Sequence, residues 1–241
     1  MRPILVFAAL LPVVIGASTL ALAQSDIGFD QTCYAIGNPE QTIKACTSVI
    51  SRGFAQREDL GAAFKFRGNA HDDIGDHDGA IDDYNRAIAI NPRDAGVLND
   101  RGTSYRAKGQ YELSLLDYDQ ALALNPESAM VLSNRCFAKA VLDRLDEALI
   151  DCNESLRLRP GNSSTLASRG FAFLKLGRSK SAITDYDAEI RTNPGNPYSL
   201  FGRGVGKRLT GDLLGGYADM AAARAIDSGI EEAMAKLGVH P

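Results

Sequence analysis

The chain has 241 residues, with 26 Lys and Arg against 30 Asp and Glu and a formal net charge of −4. So mild an acidic balance offers no electrostatic footprint for nucleic acid or an anionic membrane. The length suffices for a sizeable core, and the four cysteines are an even number that can pair completely in an oxidising compartment.

The first element in chain order is an export signal. Arg2 is followed by an uncharged stretch that is apolar from Ile4 to Leu11, and Ala21-Leu22-Ala23 supplies a small-x-small cleavage site before Gln24. This pattern predicts removal of residues 1–23 between Ala23 and Gln24, giving a periplasmic or secreted product with no stable membrane insertion. An uncleaved anchor is the competing reading, because no charge appears until Asp26. Pro12 and Gly16 interrupt the apolar run and weigh against it. Cys33 and Cys46 follow, separated by the turn-like Gly37-Asn38-Pro39. They predict a disulfide-stapled helical cap over residues 24–60.

Beyond residue 60 the chain repeats itself. Pro92, Pro126, Pro160 and Pro194 stand 34 residues apart. Gly68, Gly102, Gly170 and Gly204 keep the same step, with Cys136 in the third place. Gly75, Gly109, Gly177 and Gly211 also keep it, with Asp143 as the exception, and Ala80, Ser114, Ala148, Ala182 and Gly216 form a series of small residues. A shared period of this length marks a helical-hairpin array. In its first unit Phe64, Gly68 and His71 share one helical face and Gly75 stops the helix. Ala80, Tyr84, Ala87 and Ile88 mark a second face, ended by Asn91-Pro92. Two helices joined by a short turn pack antiparallel. One hairpin cannot bury both its faces, so neighbours stack into a solenoid.

The third unit departs from the pattern in an informative way. Elsewhere a glycine faces a ring: Gly68 with Tyr84, Gly102 with Tyr118, Gly170 with Tyr186. Cys136 and Cys152 replace both members of one such pair, as an inter-helix disulfide requires. Two buried free thiols are the alternative. At the far end, residues 229–241 contain a closing helix over 230–238.

Gly68, Ala80, Tyr84, Ala87 and Pro92 sit at the spacing of the tetratricopeptide repeat. The array resembles that family over residues 61–228, in five units beginning near Gly61, Ala95, Ala129, Ser163 and Pro197. The resemblance implies an all-α fold, a right-handed α-solenoid of stacked antiparallel helix hairpins. The fifth unit is worn, with Ser228 in place of the terminal proline and Met220 in place of the aromatic residue. Glu189 stands where alanine is usual in the fourth, which predicts a looser hairpin.

One feature exceeds the family pattern. Arg67, Arg101, Arg135, Arg169 and Arg203 occupy a position that is typically aliphatic in the family, and Asp83, Asp117, Asp151, Asp185 and Asp219 follow sixteen residues later in every unit. In antiparallel helices these positions turn to the same side of the seam, which predicts a planar ion pair in each hairpin. These pairs are structural and do not indicate catalysis.

Parts for chemistry are missing. The run from Asp72 to Gly79 reads as a turn: counted back from Gly79, Ile74 and Asn85 stand where a calcium loop needs ligands. The three histidines, His71, His77 and His240, are not at ligand spacing. There is no Gly-x-Ser-x-Gly elbow, Walker loop or dinucleotide fingerprint. The expectation is a protein that is not an enzyme, with no catalytic residue, metal or cofactor.

By resemblance, the first helix of each unit lines a concave groove that binds a protein or peptide segment. Its polar half holds Lys65, Asn69, Asp72, Asn99, Thr103 and Arg106. Its apolar half holds Met130, Phe137, Phe171, Leu174, Tyr198, Phe201, Val205 and Leu209. The expected ligand is an apolar or amphipathic segment, anchored at Phe137 and Phe171. From Tyr198 to Leu209 two readings stand open, a binding surface or a seat for the closing helix. Family members that clamp a C-terminal carboxylate share Lys65 and Asn69, but Asp100, Met130 and Asn134 depart from that clamp, and an aspartate there repels a carboxylate. The expectation is therefore a non-catalytic interaction scaffold of the bacterial envelope. The alternatives are a structural, self-associating envelope protein and an enzyme whose site carries no recognisable motif.

Overall fold

The computed structural model describes Cys33 and residues 37–52 and 57–241, and among these the chain forms twelve α-helices and no strand. The expected signal segment, its cleavage site and most of residues 24–36 lie outside the described residues. Helix α1 (Pro39–Arg52) comes first. Five hairpins follow: α2 (Arg57–Asp73) with α3 (His77–Ile90), α4 (Ala95–Ala107) with α5 (Tyr111–Leu124), α6 (Ala129–Val141) with α7 (Leu145–Leu158), α8 (Ser163–Lys175) with α9 (Ser179–Thr192), and α10 (Pro197–Leu209) with α11 (Leu213–Ile226). A short α12 (Ile230–Lys236) closes the array.

The helices begin where side chains satisfy the first backbone donors. Asp94 accepts from the N–H groups of Gly96 and Val97, and Asn196 from those of Tyr198 and Ser199, with Pro197 in the first turn. Asp76, Ser128, Asn162 and Asp212 cap α3, α6, α8 and α11 in the same way. These acceptors serve N–H groups that have no partner inside the helix. Inside each hairpin the chain reverses through a left-handed residue: Gly75, Gly109, Gly177 and Gly211 have φ of 79°, 74°, 69° and 97°. Asp143, the exception in that series, adopts the same conformation at φ 58°. A short polar side chain is among the few that tolerate it, and Lys175 Nζ meets its Oδ1 at 2.7 Å.

The facing helices approach closely at the glycine–ring level. A Cβ added to Gly68 or Gly102 would lie 2.7 Å from the ring of Tyr84 or Tyr118, and one on Gly170 3.0 Å from Tyr186. No methyl group fits at such distances. In the third hairpin a disulfide joins Cys136 to Cys152, with Cα atoms 5.4 Å apart. In the fifth, a Cβ on Gly204 would lie 2.6 Å from Met220 and 2.8 Å from the Gly216 carbonyl oxygen. Glu189 in the fourth hairpin is buried, and its Oε1 accepts from Ser163 Oγ at 3.3 Å and Asn196 Nδ2 at 3.1 Å. Polar neighbours there take up a side chain that replaces a small apolar one.

Successive hairpins stack through neighbouring helices, and α2, α4, α6, α8 and α10 also touch in sequence to form one wall. Helix α12 continues that wall. Met234 lies 34 residues after Leu200 and is buried in the same register as Leu98, Leu132 and Leu200, so α12 is the first helix of a sixth unit, cut short. At the other end α1 stands where a second helix would. A disulfide joins it through Cys46 to Cys33, with Cα atoms 4.8 Å apart. Half-units at both ends cover faces that a bare hairpin would leave to water.

A polar ladder runs along the stack. Each arginine of the series donates from Nε and Nη2 to the two carboxylate oxygens of its own aspartate, all at 2.6–2.8 Å. The remaining nitrogen, Nη1, reaches the preceding helix: Thr47, Asn85, Asp119, Asn153 and Asp187 accept at 2.6–2.9 Å. Each guanidinium therefore closes its own hairpin and ties it to the one before. The residue four beyond each arginine alternates. It is a lysine in the third and fifth hairpins, with Lys139 Nζ 2.7 Å from Asp151 and Lys207 Nζ 2.9 Å from Asp219, and an imidazole in the first, with His71 Nε2 4.0 Å from Asp83. In the even hairpins it is a ring beneath the guanidinium, Tyr105 at 5.8 Å and Phe173 at 5.7 Å.

The pair in the fifth hairpin makes stability depend on pH. Burial raises the Asp219 carboxyl, but the hydrogen bonds from Arg203 and Lys207 outweigh it and hold the group below its usual range. A carboxyl depressed in the folded state stabilises above its unfolded pKa and loses that contribution as pH falls through the folded value. Stability should therefore decline between about pH 4 and pH 2. In urea melts across that range Asp219→Asn should flatten the decline, and an unchanged slope would show that this pair does not titrate with folding.

Candidate binding groove

The wall of first helices carries the residues read as groove-facing, and the structure separates them into three groups. In the polar half the side chains are tied to one another. Lys65 Nζ lies 3.8 Å from Asp94, and the Tyr84 hydroxyl sits 2.8 Å from Asn69 Oδ1 and 3.1 Å from Asp72 Oδ2. Asp72 also accepts from Ser104 Oγ at 2.6 Å and meets His77 Nδ1 at 2.8 Å. Burial among these carboxylates pushes the Tyr84 hydroxyl far above its usual pKa, with Asp72, Asp100 and Asp73 adding to the effect. Asn99 is buried, donating to Asp100 and accepting from Asn134 Nδ2 at 3.0 Å, while Thr103 Oγ1 donates to the Asn99 carbonyl at 3.0 Å. Asn69 and Asn99 thus spend hydrogen-bonding capacity inside the wall.

A second group is buried where an open apolar surface was expected. Phe171 is 4 % exposed, Leu174 6 % and Phe201 0 %, and Val205 is buried with them. Ile230 and Met234 of α12, and Val239 after it, belong to the same core as these side chains, and α12 packs on α10, which carries Phe201 and Val205. Of the two readings of Tyr198 to Leu209, the structure shows the seat for the closing helix at Phe201 and Val205. Tyr198 (46 %) and Leu209 stay exposed, as does Met130 (55 %).

The third group surrounds an open cavity of about 590 Å³. Arg106 from α4, Tyr111 from the start of α5, Phe137 from α6, Phe171 from α8 and Tyr198 from α10 line it, and Met234 and Leu237 close its far side. The Phe137 ring lies 5.7 Å from Phe171 and 6.4 Å, edge to face, from Tyr111. Arg106 sits over Phe137 at 5.6 Å. Asn134, Ser168 and Asn196 supply polar edges. Tyr111 and the residues of α12 were not among the expected groove positions. Register signalled α12 through Met234, whereas Tyr111 stands at a turn and follows no first-helix pattern.

Tetratricopeptide-repeat family models match residues 61–94 and 95–128, the stretches that fold as the first two hairpins. The chain contains tetratricopeptide repeats. No curated protein sequence matches it. Its backbone is similar to several solved tetratricopeptide-repeat structures. A protein from Parabacteroides merdae ATCC 43184 is 17% identical with a TM-score of 0.67, covering 82% of this chain and 81% of that one. YrrB, described as a repeat protein with an unusual peptide-binding site, is 15% identical with a TM-score of 0.57, covering 82% and 100%. MamA is 19% identical with a TM-score of 0.56, covering 75% and 98%. At these identities the likeness shows the shared fold.

Proposed function

We propose that this tetratricopeptide-repeat protein is a non-catalytic scaffold that holds a segment of another protein in the groove between α4 and α12. The observation that carries the reading is the cavity of about 590 Å³ lined by Tyr111, Phe137, Phe171 and Tyr198. Large rings around a concave site of this size are what an apolar side chain of a partner fills. The peptide-binding site named for YrrB, a protein of the same fold, agrees with such a use. The buried Phe171 shapes the floor, and Phe137 and Tyr198 make the contact. We further propose that the protein works in the bacterial envelope or outside the cell after removal of residues 1–23, with the array over 61–228 flanked by a cap over 24–60 and a closing segment over 229–241. The leader-like N-terminus and the two disulfides support that placement.

The test is affinity capture from an envelope extract with the wild-type chain and with Phe137→Ala/Tyr198→Ala. Loss of two binding anchors should weaken capture of a specific partner by at least about 30-fold while helicity persists. Equal capture by both chains would place the binding surface outside this groove.

A further inference from the structure

The rings of the cavity specify an apolar ligand group, and its charges specify something more. Arg106 is the cation on its wall that lacks a carboxylate: no ion pair to it occurs among the described residues, and its Nε is buried with no hydrogen-bond partner. Arg208 on α10, whose Nε also lacks a partner, lies over Tyr217 and does not line the cavity, and other cations of the inner wall are occupied. Lys65 meets Asp94, Lys139 meets Asp151, Lys175 meets Asp143, Lys236 meets Glu232, and the five ladder arginines hold their aspartates. A buried guanidinium donor without an acceptor is an unfavourable arrangement that an incoming acceptor relieves. The guanidinium carbon lies 5.6 Å over the Phe137 ring, and a guanidinium can present paired donors to a planar anion.

The opposite charge stands nearby on the same helix. Asp100 lies six residues before Arg106, about 9 Å along the helix axis. It accepts one long hydrogen bond, 3.2 Å from Asn99 Nδ2, and forms no ion pair among the described residues. Burial holds its carboxyl above the usual range, with Asp94 and Asp72 adding to the effect. An anion is therefore welcome at the Arg106 end of α4 and repelled at the Asp100 end.

Resting on the scaffold reading above, we propose that the groove selects a peptide segment in which an acidic side chain adjoins an aromatic one. The aromatic group enters beside Phe137 and Tyr198, and the carboxylate is taken by Arg106. Arg106 is then the residue that determines specificity, and Asp100 fixes the direction in which the segment lies.

Three acetylated, fluorescein-labelled heptapeptides test this, identical except that a central phenylalanine is followed by two glutamates, two glutamines or two lysines. Binding is read by anisotropy with the full chain at physiological ionic strength. The glutamate peptide should bind about ten- to hundred-fold more tightly than the glutamine peptide, the range of a charge-assisted hydrogen bond. Arg106→Gln should erase that difference, Arg106→Lys should keep part of it, and Arg106→Glu should favour the lysine peptide. Asp100→Asn should tighten binding of the glutamate peptide, which a loss of structure would not do. Equal affinity for the glutamate and glutamine peptides, or a preference that survives Arg106→Gln, would overturn the assignment. If all three peptides bind alike and lose binding on Phe137→Ala, the charge selection fails and the scaffold reading stands. If no peptide binds at any charge, both fail.

Discussion

Arg101→Leu is expected to cost about 3–5 kcal/mol of folding stability, the range for removing one partner of a buried ion pair. Asp117 is buried and receives both of its short hydrogen bonds from this guanidinium, at 2.8 and 2.6 Å. Without Arg101 the carboxylate must stay charged without a partner or take up a proton, and either state is costly in the seam. The substitution also frees Asn85, which accepts from Nη1 at 2.6 Å. Arg101→Leu/Asp117→Leu should be milder than Arg101→Leu alone, because two apolar groups leave no orphaned charge. The second hairpin is the sharpest place for the test. In the third, Lys139 remains 2.7 Å from Asp151 after Arg135 is lost, so Arg135→Leu should cost less than Arg101→Leu. Urea unfolding of the native chain, Arg101→Leu, Asp117→Leu, the double variant and Arg135→Leu gives the comparison. If the two leucine substitutions at 101 and 117 add without coupling, the pair is not an energetic unit.

The hairpins were legible in the sequence because every physical requirement recurs at one period. Proline after the second helix, a left-handed residue between helices and a small residue at the close approach all repeat, and Asp143 shows that the backbone need persists when glycine does not. The arginine and aspartate of the ladder were legible for the same reason. Their third partners had a signal too, since Asn85, Asp119, Asn153 and Asp187 keep the 34-residue step with short polar side chains. Thr47 breaks that step, because α2 spans 17 residues against 13 in α4 and begins four residues earlier in the period. The groove was less legible. The burial of Phe201 involves the helix that packs on α10, and a seven-residue helix carries little periodicity of its own. The exposure of a side chain on a first helix is set by the next helix in the stack. A closing helix was expected over 230–238, and the register of Met234 with Leu200 is what places it in the stack. That Arg106 meets no carboxylate among the described residues was beyond sequence reasoning, since it follows from the partners its neighbours take.

The bridge of the third hairpin gives the second large effect. Reducing Cys136–Cys152 releases a constraint spanning 16 residues, which is worth about 3 kcal/mol on the chain-entropy account. Cys136→Ser/Cys152→Ser should lose at least that much, because it also leaves two hydroxyls in a place where both sulfurs are fully buried. The neighbouring hairpins suggest the substitution that recovers most. At this level they set glycine against a ring, with Tyr118 filling the space over Gly102. The tyrosine hydroxyls there meet polar groups: Asn69 and Asp72 in the first hairpin, Thr103 in the second. The matching positions in the third hairpin are Phe137 and Ala140, which offer a hydroxyl nothing. Cys136→Gly/Cys152→Phe should therefore be more stable than the serine pair, since its ring replaces covalent closure with packing and buries no unpartnered oxygen. Added reductant should lower the melting temperature of the native chain more than that of the glycine–phenylalanine variant, in which the Cys33–Cys46 bridge alone remains to be reduced. Chemical unfolding of the three chains, with and without reductant, decides the order. If the glycine–phenylalanine chain is no more stable than the serine chain, the disulfide does not occupy the place of the glycine–ring contact, and the third hairpin closes by a geometry of its own.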